Sequence, residues 1–375
     1  MKKINKRLHI VFLDLDDVKN PILNGGQARA TYEVGGRLVE KGHKVTVLCS
    51  KYPGYKDRFE NGIYYKHIGI GTGNIKVNNF AYLAAAPLAV TSLKNVDVIL
   101  ECFTAPVSTL LSPLFTNIPV VGLSTSFEAD RFSKMYHLPF YLVERFGLRF
   151  YKYFVALTIF FEKKMKVSNP KVISTVIPEG VGEEFFKIKK KRSKHILFLG
   201  RLDMDQKGID LLLHAYAKIA NKVKYPLVIA GNGPDEKKVA ELIKKLKLEN
   251  KVSMVGPTYG DKKAAYLSES LFVAFPSRNE TFSCFALEAL ASQLPLVAFD
   301  IPGISWTGDN VASKAKAFNV NEYASLLLDA VKKNQNGKLG KEARRYAAKF
   351  TWSRVASEFE EFFYMVLKKE ASYAK

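Results

Sequence analysis

The chain has 375 residues, 47% of them hydrophobic, and a formal net charge of +21. That length suits two domains with buried cores, and the charge suggests either an anionic partner (nucleic acid, an anionic membrane face or a phosphorylated substrate) or a solvated lysine-rich surface. The three cysteines, Cys49, Cys102 and Cys284, are far apart and form no CxxC or Cys/His cluster, which argues against a zinc site and fits a reducing, cytoplasmic compartment.

The opening segment MKKINKRLHIVFLDLDD is basic and then apolar. Its apolar part is too short for a signal-peptide core and is broken by Asp14, so it is predicted as a first buried strand. Runs at 8–15, 44–49, 96–101 and 118–124 read as buried parallel strands. Between the first two, GQARATYEVGGRLVEKGH has helical spacing and a glycine stop. That β-α-β order implies a doubly wound parallel sheet. The apolar stretch 81–93 falls short of a membrane span and contains Pro87.

Residues 131–166 combine aromatic and basic side chains. Read as a helix, they place Arg145, Arg149 and Lys152 on one face and Phe140, Val143, Phe150 and Phe154 on another. Such a pattern suits an interfacial helix on anionic lipid, or an ordinary helix packing its aromatics inward. The basic stretch KIKKKRSK (187–194) then reads as a linker.

After it the pattern restarts. Strands are predicted at 195–200, 226–231, 251–256, 271–277 and 295–300, with helices over 208–221, 235–247, 261–269 and 283–292. The tail TWSRVASEFEEFFYMVLKKE reads as one amphipathic helix. The expected organisation is two Rossmann-like domains, 1–186 and 195–352, with a terminal helix, 353–375, packing back towards the first.

Ligands of open α/β sheets bind beyond the carboxyl ends of strands, so the loops after the strands carry the chemistry. Gly25-Gly26 precede the first helix, as a phosphate-facing turn or an ordinary one. In GRLDMDQKGIDLLL, Arg201 and Lys207 converge on a helix start, a cation pair suited to a diphosphate. In RNETFSCFALEAL, Glu280 stands at the mouth of an element and Glu288 inside its apolar body. Ser283 is placed to cap that helix. A bare carboxylate at Glu288 would cost several kcal/mol, so it needs donors. Ribose hydroxyls would supply them, and so would a salt bridge from a neighbouring helix.

These residues carry a resemblance. PSRNETFSCFALEALASQLPLVAFDIPG resembles the E-x7-E signature of retaining glycosyltransferases of family 4, which have the GT-B fold. GRLDMDQKGIDLLL is similar to that family's arginine-lysine diphosphate motif, and NGGQARATYEVGGRLVEKGHKVTVLC to its amino-terminal glycine loop. The turn IPEGV (177–181) stands where relatives have Asn-Gly-Val. The resemblance implies an α/β architecture of two doubly wound domains facing across a cleft, acceptor side first and donor side second.

It further implies transfer of a sugar from a UDP- or GDP-type nucleotide-sugar to an acceptor hydroxyl, with retention and without a metal or cofactor. Glu280 would hold the donor sugar, Glu288 the ribose, and Arg201 and Lys207 the leaving diphosphate. Gly26 would lie against phosphates, and Phe282, Ser283 and Cys284 would line the donor site. Relatives carry a histidine near the acceptor where this chain reads GLSTSFEAD, leaving Ser126 and Glu128 in that region. A glycan or lipid-linked acceptor on the inner membrane face would account for the basic charge, and no nucleic-acid module is visible. The alternatives are an epimerase-like enzyme or a non-catalytic nucleotide-sugar binding protein of the same fold.

Overall fold

The structure, a computed structural model, describes residues 6–22, 25–103, 105–106, 108–125, 127–334 and 337–373. Two compact units emerge: Met1–Glu179 with Trp352–Lys375, and Gly180–Thr351. The basic stretch 187–194, expected as a linker, therefore lies inside the second unit. Backbone bonds tie it there: the Lys191 and Lys194 amides donate to the Ser268 and Glu269 carbonyls at 3.0 and 2.8 Å.

In the first unit the chain runs β1 (His9–Leu13), α1 (Gly26–Glu40), β2 (Lys44–Ser50), β3 (Arg58–Glu60), β4 (Ile63–Ile68), α2 (Ile75–Thr91), β5 (Val98–Cys102), β6 (Val120–Leu123), α3 (Ala129–Tyr136), α4 (Phe140–Gly147), β7 (Tyr153–Ala156), α5 (Ile159–Ser168) and β8 (Ile173–Val176). Eight strands form one sheet, ordered β3-β4-β2-β1-β5-β6-β7-β8, and only the β3–β4 hairpin is antiparallel. Strands covered on both faces must be apolar throughout, which is why β1, β5 and β6 read as continuous hydrophobic runs. One face packs Val11, Leu13, Ile99, Phe103, Phe127 and Phe154 into a common core.

Residues 131–166 do not form the single helix expected. His137 adopts a left-handed backbone and Pro139 follows, so the segment breaks between α3 and α4. Arg149 falls in a 3₁₀ turn and Phe154 in the buried strand β7. Arg145, Arg149 and Lys152 therefore share no helical face. The aromatic and β-branched run Tyr153-Phe154-Val155 prefers the pleated sheet.

The second unit runs α6 (Glu183–Lys187), β9 (His195–Leu199), α7 (Met204–Lys207), α8 (Ile209–Ala217), β10 (Leu227–Ala230), α9 (Glu236–Lys245), β11 (Val252–Gly256), α10 (Gly260–Glu269), β12 (Ser270–Phe275), α11 (Cys284–Ala291), β13 (Leu296–Phe299), β14 (Ala312–Ala315), α12 (Val320–Lys333) and α13 (Lys338–Ala347). Its six strands are ordered β11-β10-β9-β12-β13-β14, all parallel. The helix expected over 208–221 appears as α8, ending at Ala217, and the short helix α7, closed by Gly208, precedes it.

The chain then returns to the first unit as α14 (Trp352–Tyr373). This helix lies on α1, where Arg37 Nε donates to Ser353 Oγ at 3.3 Å and Lys41 pairs with Glu360 at 2.5 Å. Glu179, in the IPEGV turn, is buried and lines a small cavity with Gln27, Thr31 and Trp352. Its Oε2 has no hydrogen-bond partner among the described residues. Burial, with Asp14 nearby, pushes its carboxyl up to about 8 from the ordinary 4.5.

Between those two values the folded protein holds a proton that the unfolded chain has released, so stability falls as pH rises through that window. Glu179→Gln should raise the melting temperature at pH 8 by ~5 °C and change little at pH 4. Calorimetry at the two pH values checks this; a lower melting temperature than wild type at pH 8 would contradict it.

Candidate functional site

Strand order reverses at β9, which has β10 on one side and β12 on the other. Loops leaving the carboxyl ends of β9 and β12 thus emerge side by side, the position where open α/β sheets bind ligands. The loop after β9 carries Arg201, then turns into α7 with Asp203 as its cap, accepting from the Gln206 amide at 3.0 Å. Lys207 ends that turn. Gly208 follows at φ +61°, and a Cβ there would stand 2.1 Å from the Pro276 carbonyl oxygen. Only glycine lets the first loop press this closely on the second.

Four further hydrogen bonds lock the loops together. The Arg278 guanidinium forks onto Asp210, both bonds at 2.7 Å. The backbone amides of Arg278 and Asn279 donate to the Gln206 carbonyl at 2.9 and 3.3 Å. Hydrogen bonding to Asp210 holds the Arg278 guanidinium above its ordinary pKa. A planar fork fixes orientation as well as distance, so Glu280 is delivered to Lys207. Lys207 Nζ donates to Glu280 Oε1 at 2.6 Å, and Ser277 Oγ donates to the same oxygen at 2.8 Å. On the far side Gly303 closes in, where a Cβ would lie 2.3 Å from the Glu280 carbonyl oxygen.

Beyond Glu280 the chain enters α11. Ser283 caps it, accepting from the Ala286 amide at 3.2 Å. Cys284 is its half-buried first residue. Phe282 turns inward and stacks on Trp306 with centroids 4.6 Å apart. Glu288 finds its donor in the protein: Lys263 of α10 lies 2.6 Å from its Oε2. The same ammonium lies 5.0 Å from the Phe185 ring centroid. Arg201 is exposed and makes no ion pair among the described residues.

This arrangement sets three cations, Arg201, Lys207 and Lys263, and two carboxylates around one strand-switch point. Lys263, Arg278, Asp210 and Ser277 were not singled out from the sequence. Arg278 stands two residues before Glu280, which is the one local hint of its positioning role. The other sequence-derived residues lie in the first unit. Gly26 opens α1 with Gly25 as N-cap. Glu128 pairs with Arg131 at 3.1 Å, and Ser126 falls outside the described residues.

Asp17, Cys49 and His67 bring possible metal-ligand atoms within 4.8 Å of one another. A guanidinium already occupies that charge: Arg58 forks onto Asp17 at 2.6 and 2.8 Å, and burial pushes the Cys49 thiol well up, which keeps it protonated. The cluster fits an internal ion pair better than a metal.

Comparison with known proteins settles the family. The family model for Glycosyl transferases group 1 matches residues 181–349, and that for Glycosyltransferase Family 4 matches residues 24–185. The chain belongs to the family 4 glycosyltransferases. It is 30% identical to the MMP alpha-(1->4)-mannosyltransferase of Mycolicibacterium hassiacum over 49% of this chain and 46% of that one. It thus spans about half the length of that relative. The N-acetyl-alpha-D-glucosaminyl L-malate synthase of Bacillus anthracis is 24% identical over 92% of this chain and 95% of its own.

Among solved structures, sucrose-phosphate synthase from Thermosynechococcus elongatus superposes with a TM-score of 0.77 at 18% identity, covering 97% of this chain and 100% of that one. Anabaena HepE in complex with UDP and glucose superposes at 0.71 and 15% identity, covering 95% and 99%. Such identities speak to the fold alone, which is GT-B. The epimerase-like and binding-only alternatives are not favoured by these matches.

In this glycosyltransferase the loop lock makes a testable separation. Lys207→Ala should lower turnover about a hundredfold with little change in melting temperature, as expected for loss of a preorganised charge-stabilising donor. Asp210→Asn, which touches no proposed ligand atom but weakens the fork from Arg278, should lower turnover less than Lys207→Ala does. Steady-state kinetics beside thermal melts check both; wild-type turnover in Lys207→Ala would contradict the reading.

Proposed function

We propose that the protein moves a sugar from a UDP- or GDP-type nucleotide-sugar to an acceptor hydroxyl, with retention and without need of a metal. We further propose that the acceptor is a glycan or lipid-linked glycan at an anionic membrane face. The observation that carries the donor half is the Lys207–Glu280 pair at 2.6 Å at the strand switch. As the nucleoside diphosphate departs, negative charge grows on the phosphate oxygen that held the sugar. Arg201 offers a forked donor and Lys207 a point charge to receive it.

Lys207 would turn to the phosphate, leaving Glu280 to accept from sugar hydroxyls. Glu288 would accept from ribose hydroxyls in exchange for Lys263. Two fixed cations supply the charge that a metal ion could otherwise bring. Two of the three acids of LDLDD are committed elsewhere, Asp14 to Thr31 and Asp17 to Arg58. The names of the mannosyltransferase and glucosaminyl relatives, and the UDP and glucose held by HepE, support nucleotide-sugar chemistry.

The membrane half rests on the α3–α4 hairpin. Met135, Leu138, Leu142 and Phe146 are all more than half exposed there. Exposed Lys134, Arg145 and Arg149 flank them. Apolar side chains ringed by cations match the chemistry of an anionic bilayer surface, where each Lys or Arg contributes about 1 kcal/mol. No helix among the described residues is long and apolar enough to cross a membrane.

One assay tests both halves. Donor turnover with a membrane-lipid acceptor extract should give a product of unchanged anomeric configuration by proton NMR, and EDTA should leave the rate intact. Flotation should show binding to anionic but not neutral vesicles, lost when Lys134, Arg145 and Arg149 become glutamate, while nucleotide binding persists. An inverted product, a magnesium-reversible loss or indifference to anionic vesicles would each sink the corresponding part.

A further inference from the structure

The second unit carries another concentration of charge at the opposite edge of its sheet from Arg201 and Glu280. The run-in segments to β9, β10 and β13 and the start of α13 enclose a cavity of about 930 Å³. Lys190, Lys191, Arg192, Lys194, Lys224 and Lys341 line it, and no aspartate or glutamate does. The basic stretch 187–194, which serves no linker role, forms one wall.

Among the described residues, Lys194 is the one of these cations that pairs with a carboxylate, Glu269 at 2.8 Å. Lys190 is half-buried, and its ammonium donates to the Ser270 carbonyl rather than to a carboxylate. Burial lowers its pKa to about 8, so at neutral pH it still carries most of its charge. Arg344, behind the wall, likewise spends its guanidinium on the carbonyls of Ala291 and Ile188, at 2.9 and 2.6 Å. The ten-residue helix α13 begins at this wall with Gly337 as its N-cap, no side-chain cap and no acid in its first turn. Like-charged side chains around a hollow repel one another, and Glu269 beside Lys194 balances only part of this charge, which leaves the remaining compensation to a ligand.

We propose that this cavity is a second anion site, separate from the donor loops, that binds a small ligand carrying two or more linked phosphates. A single phosphate would reach only one or two of the cations, whereas a chain of phosphates can bridge Lys190, Lys224 and Lys341 across the hollow. The oligophosphate can come from a nucleoside polyphosphate or from an inorganic chain. The proposal does not depend on the donor-site reading.

Titration calorimetry on the full chain tests it, with inorganic tripolyphosphate, ATP and orthophosphate at matched ionic strength. Because the donor loops also attract phosphate, the titrations are repeated in Arg201→Ala/Lys207→Ala. Tripolyphosphate should still bind that variant, and orthophosphate should bind far more weakly. Lys190→Gln and, separately, the fully exposed-site change Lys341→Gln should each weaken tripolyphosphate at least about tenfold. Tighter binding of ATP would assign the site to a nucleotide, and equal binding to an inorganic chain. Loss of all binding in Arg201→Ala/Lys207→Ala, equal affinity for orthophosphate, or no effect of Lys190→Gln and Lys341→Gln would overturn the proposal.

Discussion

The Arg278–Asp210 fork is the contact on which the donor site depends. Lys207 and Glu280 are 73 positions apart in sequence and sit on short loops that have no stiffness of their own. The fork, the two amides on the Gln206 carbonyl and the close approach at Gly208 convert these loops into one body. The backbone then needs no reorganisation to meet a ligand, and only the paired side chains exchange partners; a framework held in place in this way is the condition under which charges stabilise a transition state most. An Arg–carboxylate fork that is partly exposed contributes little to stability, so its worth here is geometric.

Both carboxylates of the signature follow one rule. A half-buried acid must be compensated, and in the absence of a ligand this fold compensates each with a lysine: Lys207 for Glu280 and Lys263 for Glu288. The lysines also aim the acids. In the proposed binding mode a nucleotide-sugar would offer hydroxyls to the acids and phosphates to the lysines, so partners would be exchanged without leaving a charge bare. The first unit solves a similar problem permanently. Asp17 is buried under Arg58, His67 and Tyr52, and no ligand is required to satisfy it.

Much of this was readable in the chain. Buried parallel strands announce themselves as unbroken apolar runs: β1, β6, β9, β10, β11 and β13 lie within the runs read as strands, and β2, β5 and β12 each extend one residue beyond theirs. Strands β3, β4, β7, β8 and β14 were not legible, because alternation in IYYKHI and ASKA is diluted by half-exposed polar positions. The 131–166 segment misled for a definite reason: Arg145, Arg149 and Lys152 keep helical spacing although the backbone passes from α4 through a 3₁₀ turn to the start of β7. At the site, Arg201, Lys207 and Glu280 were visible as charges placed after strand ends, and Glu288 as an acid inside an apolar helix. Lys263 and Asp210 were not, since each acts from a neighbouring helix whose apposition only the folded sheet defines. The unsatisfied carboxyl of Glu179 was equally hidden, because its burial comes from Trp352, far along the chain.

The central claim is that the second unit recognises a diphosphate through Arg201 and Lys207. Comparing the affinities of UDP and UMP, and of GDP and GMP, for the wild-type chain and for Lys207→Ala tests this most directly. The account predicts that the diphosphate of the preferred base binds at least about tenfold tighter than its monophosphate in the wild type, and that most of this advantage disappears in Lys207→Ala. Equal binding of mono- and diphosphate by the wild type, or an advantage that survives in Lys207→Ala, would contradict it.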